Sequence, residues 1–417
     1  MRKLYLLLLS FCSLSGYSQL MYNNGADVAV TGGGVMYVDG AVENAAGGLF
    51  SNAGQTTVKG YFRNGSLATG GGTNGEYIVH GDWENNQTFT ADQSIVRLRG
   101  NAQLITGSSV TTFYDLSLEG GNSVKTQTLD AFTAHRLDFN NAELATAGNL
   151  MTVTNPSFAS VTRQGGFVSS TGAGRFVRYT NSTNSYLFPT GWNDNGTIWY
   201  RPVDMAPTVA DAQNFAVRMG FGDATAEGYD ISQKAGNVTA VNNKFFHLIK
   251  QYGSVEPADL SIYYFPQQDS LWNSIGRWQI VPEWQDLTNV TVTNSGTMFR
   301  NTRKLWADNG QEPHVLINAK EITNLYNFPN VFSPNNDGTN DLFGIINQLG
   351  LVELEDLKVY NRWGEPVFDS ERDGAKDWNG FYQGKLQPMG NYVYMASVKI
   401  LATGAIQPAK GNLSLLW

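Results

Sequence analysis

The chain has 417 residues with 28 basic and 36 acidic side chains, a formal charge of −8, which argues against nucleic acid as a partner. A single cysteine excludes a disulfide framework, so stability must come from packed cores, and the length suffices for two to four domains. Forty-five glycines, 41% hydrophobic residues and few helical patterns point to an all-β protein.

At the start, Arg2 and Lys3 precede the apolar run Leu4 to Leu14, and small residues follow at Gly16 and Ser18. That order of charged, apolar and small segments predicts a secretory signal peptide over residues 1–18, with Gln19 first after cleavage. Its removal leaves 26 basic against 36 acidic residues, a charge of −10. Cys12 raises a lipoprotein reading, but Phe11 before it is a poor fit to the small residue such a signal needs. No stretch reaches the roughly 20 apolar residues of a spanning helix, so an exported, soluble chain without a transmembrane span is expected.

Residues 19–154 carry a repeat of about 20 residues. Glycine recurs at Gly40, Gly60, Gly81, Gly100 and Gly120. Two places before each stand Val38, Val58, Val79, Leu98 and Leu118, and four before stand Met36, Thr56, Tyr77, Val96 and Leu116. Leu137 and Phe139 extend the register, and Met151 with Val153 begin a shortened rung. Alternation puts these side chains on one strand face. Asn44, Asn64 and Asn85 fall four places after the first three glycines, as stacked turn residues able to bond between rungs. Such a repeat predicts a parallel β-solenoid, with a meandering antiparallel sheet as the other reading. Asp39, Lys59, His80, Arg99 and Glu119, each just before a glycine, read as a solvated mixed-sign ladder. Asp82 and Glu84 flank Trp83 without forming the opposed acid pair of a glycosidase.

From 155 to 324 the pattern becomes short strands separated by turns, for example at 174–180, 215–221, 244–250, 260–265 and 314–318, which predicts a β-sandwich. Trp192, Trp272, Trp278 and Trp284 are candidate sugar-stacking platforms, against ordinary packing of aromatic side chains. His80, His135, His247 and His314 are scattered, without zinc-protease spacing, and neither a nucleophile elbow nor a phosphate loop occurs. No catalytic residues are assigned, and the chain is expected not to be an enzyme.

Residues 325–417 hold five signatures in order: NVFSPNNDGTND, KVYNRWGEPVF, DWNG, PMGNYVYM and KGNLSLLW. Alternation around Asn361-Arg362-Trp363-Gly364 describes a hairpin, and some seven strands in this length fit a compact sandwich. Asn335, Asp337, Thr339 and Asp341 place oxygen groups at every second position, a spacing open to calcium or to Asx turns; no other cofactor is expected.

Together these signatures resemble the gliding-motility-associated C-terminal domain, the type B sorting domain of the Bacteroidetes type IX secretion system. The resemblance implies an immunoglobulin-like β-sandwich recognised by the type IX translocon and its outer-membrane shuttle barrel. It also implies passage through the periplasm and outer membrane to the cell surface or medium. On it, recognition falls to Asn361, Arg362, Trp363 and Gly364 with the last strand, Leu415, Leu416 and Trp417. The apolar ending departs from the polar one usual in the family. The favoured reading is a non-enzymatic surface or secreted protein used in adhesion or gliding, with other surface or gliding proteins as partners. The alternatives are a permanent accessory component of the export or gliding machinery, and a carbohydrate-binding or carbohydrate-active solenoid.

Overall fold

The computed structural model describes residues 19–71, 74–254, 256–320, 326–347, 352–400 and 406–416, so the expected leader, 1–18, and Trp417 lie outside the described residues. The chain forms two compact units. One holds the described residues up to 227 with 243–264 and 305–314; the other holds 228–242, 265–304 and 315 onward. Among the described residues no helix is long and apolar enough to cross a membrane.

The first unit is built on a parallel β-solenoid. One sheet stacks Gln19–Asn23, Gly40–Asn44, Phe62–Asn64, Trp83–Asn85 and Ala102–Thr106 in sequence, then Val124–Gln127, Glu143–Ala145 and Phe167–Ser169. A second begins at Val35–Val38 and runs through Gln55–Val58, Glu76–Val79, Ile95–Leu98, Thr111–Leu118 and Ala131–Asp138. The register is the one the repeat predicts: Met36 pairs with Thr56, Thr56 with Tyr77, Tyr77 with Val96, and Val96 with Leu116. All of these beyond Met36 are buried, including the one polar member, Thr56. A third sheet of four short strands, Asp27–Val30, Leu49–Asn52, Leu67–Thr69 and Thr88–Thr90, closes the first rungs into a three-sided coil.

The repeating glycines have a steric cause. A Cβ built on Gly100 would stand 2.0 Å from the His80 carbonyl oxygen, and one on Gly81 2.5 Å from the backbone of Gly60. The corners of successive rungs therefore approach too closely for any side chain. Inside, Phe50, Phe62, Tyr77, Trp83, Phe89 and Phe113 form a continuous aromatic stack with neighbouring centroids 5.0–6.4 Å apart.

The asparagine ladder is present and one member longer than expected. Asn23 Nδ2 donates to Asn44 Oδ1 (2.8 Å), Asn44 to Asn64 (3.2 Å) and Asn64 to Asn85 (2.9 Å). The remaining amide protons go to the next corner, for instance Asn64 Nδ2 to the Thr88 carbonyl at 2.9 Å. Buried backbone acceptors that no strand ladder reaches are thereby satisfied.

Outside, charges pair across rungs: of the predicted mixed-sign ladder Arg99 meets Glu119 at 2.5 Å, and other outward residues add further pairs. Arg63 bridges Glu43 (3.1 Å) and Glu84 (2.7 Å), and Arg97 joins Glu76 to Glu119. Partial burial pushes the Glu119 carboxyl up, but hydrogen bonds from Arg97 and Arg99 outweigh it and hold the group below its ordinary range. Glu84 is thus a structural ion-pair partner, and Asp82 accepts the Leu104 amide at 2.7 Å.

Parallel stacking does not stop at residue 154. Phe167–Ser169 pairs with Glu143–Ala145, and Arg175–Thr180 with Leu150–Val153, both parallel. Only beyond Arg175–Thr180 does the sheet turn antiparallel, through Gln213–Phe221 to Phe245–Tyr252. A separate antiparallel sheet contains Tyr186–Phe188, Val203–Pro207 and Ala258–Tyr264. The segment expected as one sandwich over 155–324 thus begins inside the solenoid and is divided between the two units.

In the second unit Val238, Ala240 and Val241 pair with Ala319, Asn318 and Ile317, Ser274–Trp278 forms a hairpin with Trp284–Asp286, and Val290–Ser295 pairs with residues 298–303. The residues from 326 on form a domain with their own core. Its main sheet runs in the order Val331–Phe332, Ile406–Leu415, Gly390–Ile400, Val352–Tyr360, Pro366–Asp369. A short hairpin, Phe381–Tyr382 with Lys385–Leu386, completes the seven strands expected. The expected pair of facing sheets is realised unequally. Segments rich in Asn, Asp and Gly supply only single bridges, Asn327 to Ile346 and Phe343 to Trp378, beside the five-stranded sheet.

Candidate functional site

The C-terminal domain gathers the chemistry singled out by sequence. Phe328, Phe332, Phe343, Trp378, Tyr392, Leu413 and Leu415 fill its core, with Tyr394 against it. Tyr392 and Tyr394 face inward from Gly390–Ile400, and burial pushes both phenols up. Trp378, from the DWNG signature, is fully buried and donates its indole proton to the Phe381 carbonyl at 3.0 Å.

Asn361 builds the hairpin tip. Its side-chain oxygen accepts the amides of Trp363 and Glu365, both at 3.0 Å, while its carbonyl accepts the Gly364 amide at 2.9 Å. Gly364 adopts a φ of 79°, the left-handed conformation a tight turn needs there. With the backbone held by Asn361, Trp363 projects into solvent, 80% exposed, with the Arg362 guanidinium 5.2 Å from its ring centre. Among the described residues this indole is left largely uncovered, an apolar area beside a cation at the surface.

The strand register places this tip beside the chain's far end. Tyr360 pairs with Val393, and Asn391 and Gly390 pair with Ser414 and Leu415. Asn361–Gly364 and Leu416 therefore occupy the same end of the sheet, with Gly390 between them. Leu416 is half exposed, but Leu415 is wholly buried. Leu415 thus holds the last strand in the core and is not available for recognition, because alternation turns it inward. Exposed Met389, Val393 and Met395 add to the apolar surface here. The alternation of Val393 and Met395 against Tyr392 and Tyr394 was the signal that could have identified the latter two.

The candidate calcium loop is closed on itself. Asp341 accepts the Asn336 amide at 2.6 Å and the Gly338 amide at 2.8 Å, and Asp337 Oδ1 accepts the Thr339 amide at 2.8 Å. Asn335 accepts from Asp337 N at 3.1 Å and donates to Asp337 Oδ2 at 3.0 Å. These are consecutive Asx turns, with Asn336 and Asn340 at positive φ. A cation would have to displace the amide protons from Asp341.

The four tryptophans do not form one platform. Trp278 and Trp284 are buried edge to face, centroids 5.3 Å apart, which removes them as stacking surfaces. Trp192 is half-buried and lies flat against Phe221 at 5.9 Å, and Trp272 is half-buried with its indole proton on the Asp269 carbonyl at 2.7 Å. Trp192 belongs to the first unit and the other three to the second. The histidines are likewise dispersed. His135 meets Asp115 at 2.7 Å, and His80 lies 3.4 Å from Lys59. Buried His314 accepts from the Trp306 indole at 2.9 Å. His247 is fully buried, with Nε2 2.8 Å from the Arg201 carbonyl, and desolvation lowers its pKa to about 4.

The chain joins a parallel β-solenoid to a C-terminal β-domain with its own core and a solvent-presented Asn-Arg-Trp-Gly tip. Residues 326–415 match the family CHU_C Type IX secretion signal domain. The chain thus carries a type IX sorting domain, which indicates handling by the type IX secretion machinery and export to the cell surface or extracellular space. No curated protein and no solved structure is similar enough to the chain to match it.

Proposed function

We propose that the protein is a non-enzymatic passenger of type IX secretion whose solenoid and following sheets serve as a passive β-rich body in adhesion or gliding. The observation that carries this reading is the joining of the sorting domain to a coil whose outer glutamates are ion-paired across rungs, Glu43 and Glu84 with Arg63 and Glu76 and Glu119 with Arg97. Such a surface is stiff and solvated. In this reading the chain crosses the periplasm, and the sorting domain then meets the translocon and its shuttle barrel through the end of the sheet bearing Trp363. Deleting 326–417 should strand the chain in the periplasm; normal surface levels of the truncated form would refute it. Loss of surface attachment or gliding in a strain lacking the whole chain tests the body's role.

A second reading is a permanent component docked on the export or gliding machinery. It is favoured by apolar Trp363, Met389 and Val393 remaining exposed after folding. Co-purification with the translocon in fixed proportion supports it, and recovery only from medium or cell washes sinks it.

A further inference from the structure

Among the described residues the first rung of the solenoid is unpaired on the outer edge of all three of its strands. Gln19–Asn23, Asp27–Val30 and Val35–Val38 each stand at the end of their sheet. Exposed edges are usually blunted by proline or lysine. These three strands, QLMYN, DVAV and VMYV, contain neither. Between residues 19 and 154 seven large apolar side chains are exposed, and the four most exposed, Leu20, Tyr22, Val35 and Tyr37 at 51–73%, all belong to this rung. Met21, Val28, Met36 and Val38, the counterparts of core residues in later rungs, are only half-buried. The asparagine ladder also ends here, at Asn23.

We propose that this rung is a self-association surface, and that two copies of the chain join end to end through it. An occupant must offer three strand edges around a coil of the same cross-section, and the first rung is itself such a set. A two-fold axis perpendicular to the solenoid reverses the sense of winding, so every edge of one copy meets an edge of the other antiparallel. One sheet then pairs with its own counterpart while the other two exchange partners. The rung contributes strands of 5, 4 and 4 residues. Pairing them forms about a dozen main-chain hydrogen bonds, within the range of a stable interface.

Charge permits the match, since Asp27 is the only charged residue in the three strands. Head-to-tail stacking into filaments is not available. At the opposite side the third sheet ends at Thr88–Thr90, several rungs early, and Arg175–Thr180 is already paired with Gln213–Phe221. The three edges never open together there, so the association closes as an isologous dimer.

The test uses the full chain recovered from medium or cell washes, followed by sedimentation velocity between about 0.1 and 20 µM. A concentration-dependent dimer is expected. Tyr22→Lys with Tyr37→Lys should raise its dissociation constant at least about tenfold, because lysine on an edge opposes pairing. Leu104→Lys, an exposed mid-coil site, should change it less than about twofold. A monomer throughout the range, a filament, a hetero-complex that covers the rung, or a dimer indifferent to the lysine pair overturns the proposal.

Discussion

Asn64→Ala should destabilise the solenoid far more than an asparagine substitution on its outer side. Asn64 is wholly buried and makes four hydrogen bonds: from Asn44 Nδ2 (3.2 Å), to Asn85 Oδ1 (2.9 Å), to the Thr88 carbonyl (2.9 Å), and from the Ser66 amide (3.3 Å). Asn44 Nδ2 keeps other acceptors, the Leu67 and Gly48 carbonyls at 3.0 and 3.4 Å. Asn85 Oδ1, the Thr88 carbonyl and the Ser66 amide lose a partner. At about 1 kcal/mol each or somewhat more, the loss is about 3–4 kcal/mol. Asn86→Ala, whose bonds to Glu84 and Ser108 lie on the half-exposed side, should cost about 0.5 kcal/mol. Guanidinium denaturation gives the overall difference, and hydrogen exchange of peptides spanning 40–90 locates it. If Asn64→Ala fell within about 0.5 kcal/mol of Asn86→Ala, the ladder would carry no special stability.

Acid should weaken the first unit through His247. Its pKa falls from an ordinary 6.5 to about 4 on folding, so the unfolded chain binds the extra proton between those values. Stability is therefore complete above pH 6.5 and declines toward pH 4, by about 3 kcal/mol in all. Denaturation at pH 7 and 4.5 should show this decline in the parent and a smaller one in His247→Gln; equal declines would assign it elsewhere. Trp363→Ala should reduce export while leaving protease resistance of the sorting domain unchanged, since the ring is 80% exposed. Leu415→Ala should instead cost about 2–5 kcal/mol and reduce export through unfolding. Because the loop carboxylates already hold backbone amides, chelation should leave the thermal midpoint of the sorting domain within about a degree. A calcium-dependent rise of several degrees would mean the Asx turns open to the ion.

The solenoid was legible because its rule is steric and repeats. A glycine is needed wherever corners touch, and inward residues recur at fixed offsets from it. Asn23 was missed because its rung has no glycine four places earlier; that position is Gln19, the first residue of the opening strand. The third sheet was missed because three- and four-residue strands between Asn, Gly and Ser leave no measurable alternation. Rungs beyond 154 escaped because the spacing lengthens there: Glu143 pairs with Phe167 and Leu150 with Arg175, 24 and 25 residues apart in place of about 20. In the sorting domain the Asn361 hairpin could be read from local turn chemistry. The burial of Leu415 and of Trp278 and Trp284 could not, since it depends on which face of a strand meets a partner distant in sequence. The sequence pattern around Asp337 and Asp341 fits both turn and cation, and only the positions of the amide protons separate the two geometries.

The parallel coil has a mechanical consequence. Each rung is held chiefly by the rung beside it, so a pull applied at one end loads a single layer at a time. Detaching one layer frees about 20 residues, roughly 70 Å of chain at full extension. A body of this construction lengthens in steps under tension while the undetached layers keep their form. An object tethered through it would feel a yielding line and not a brittle link.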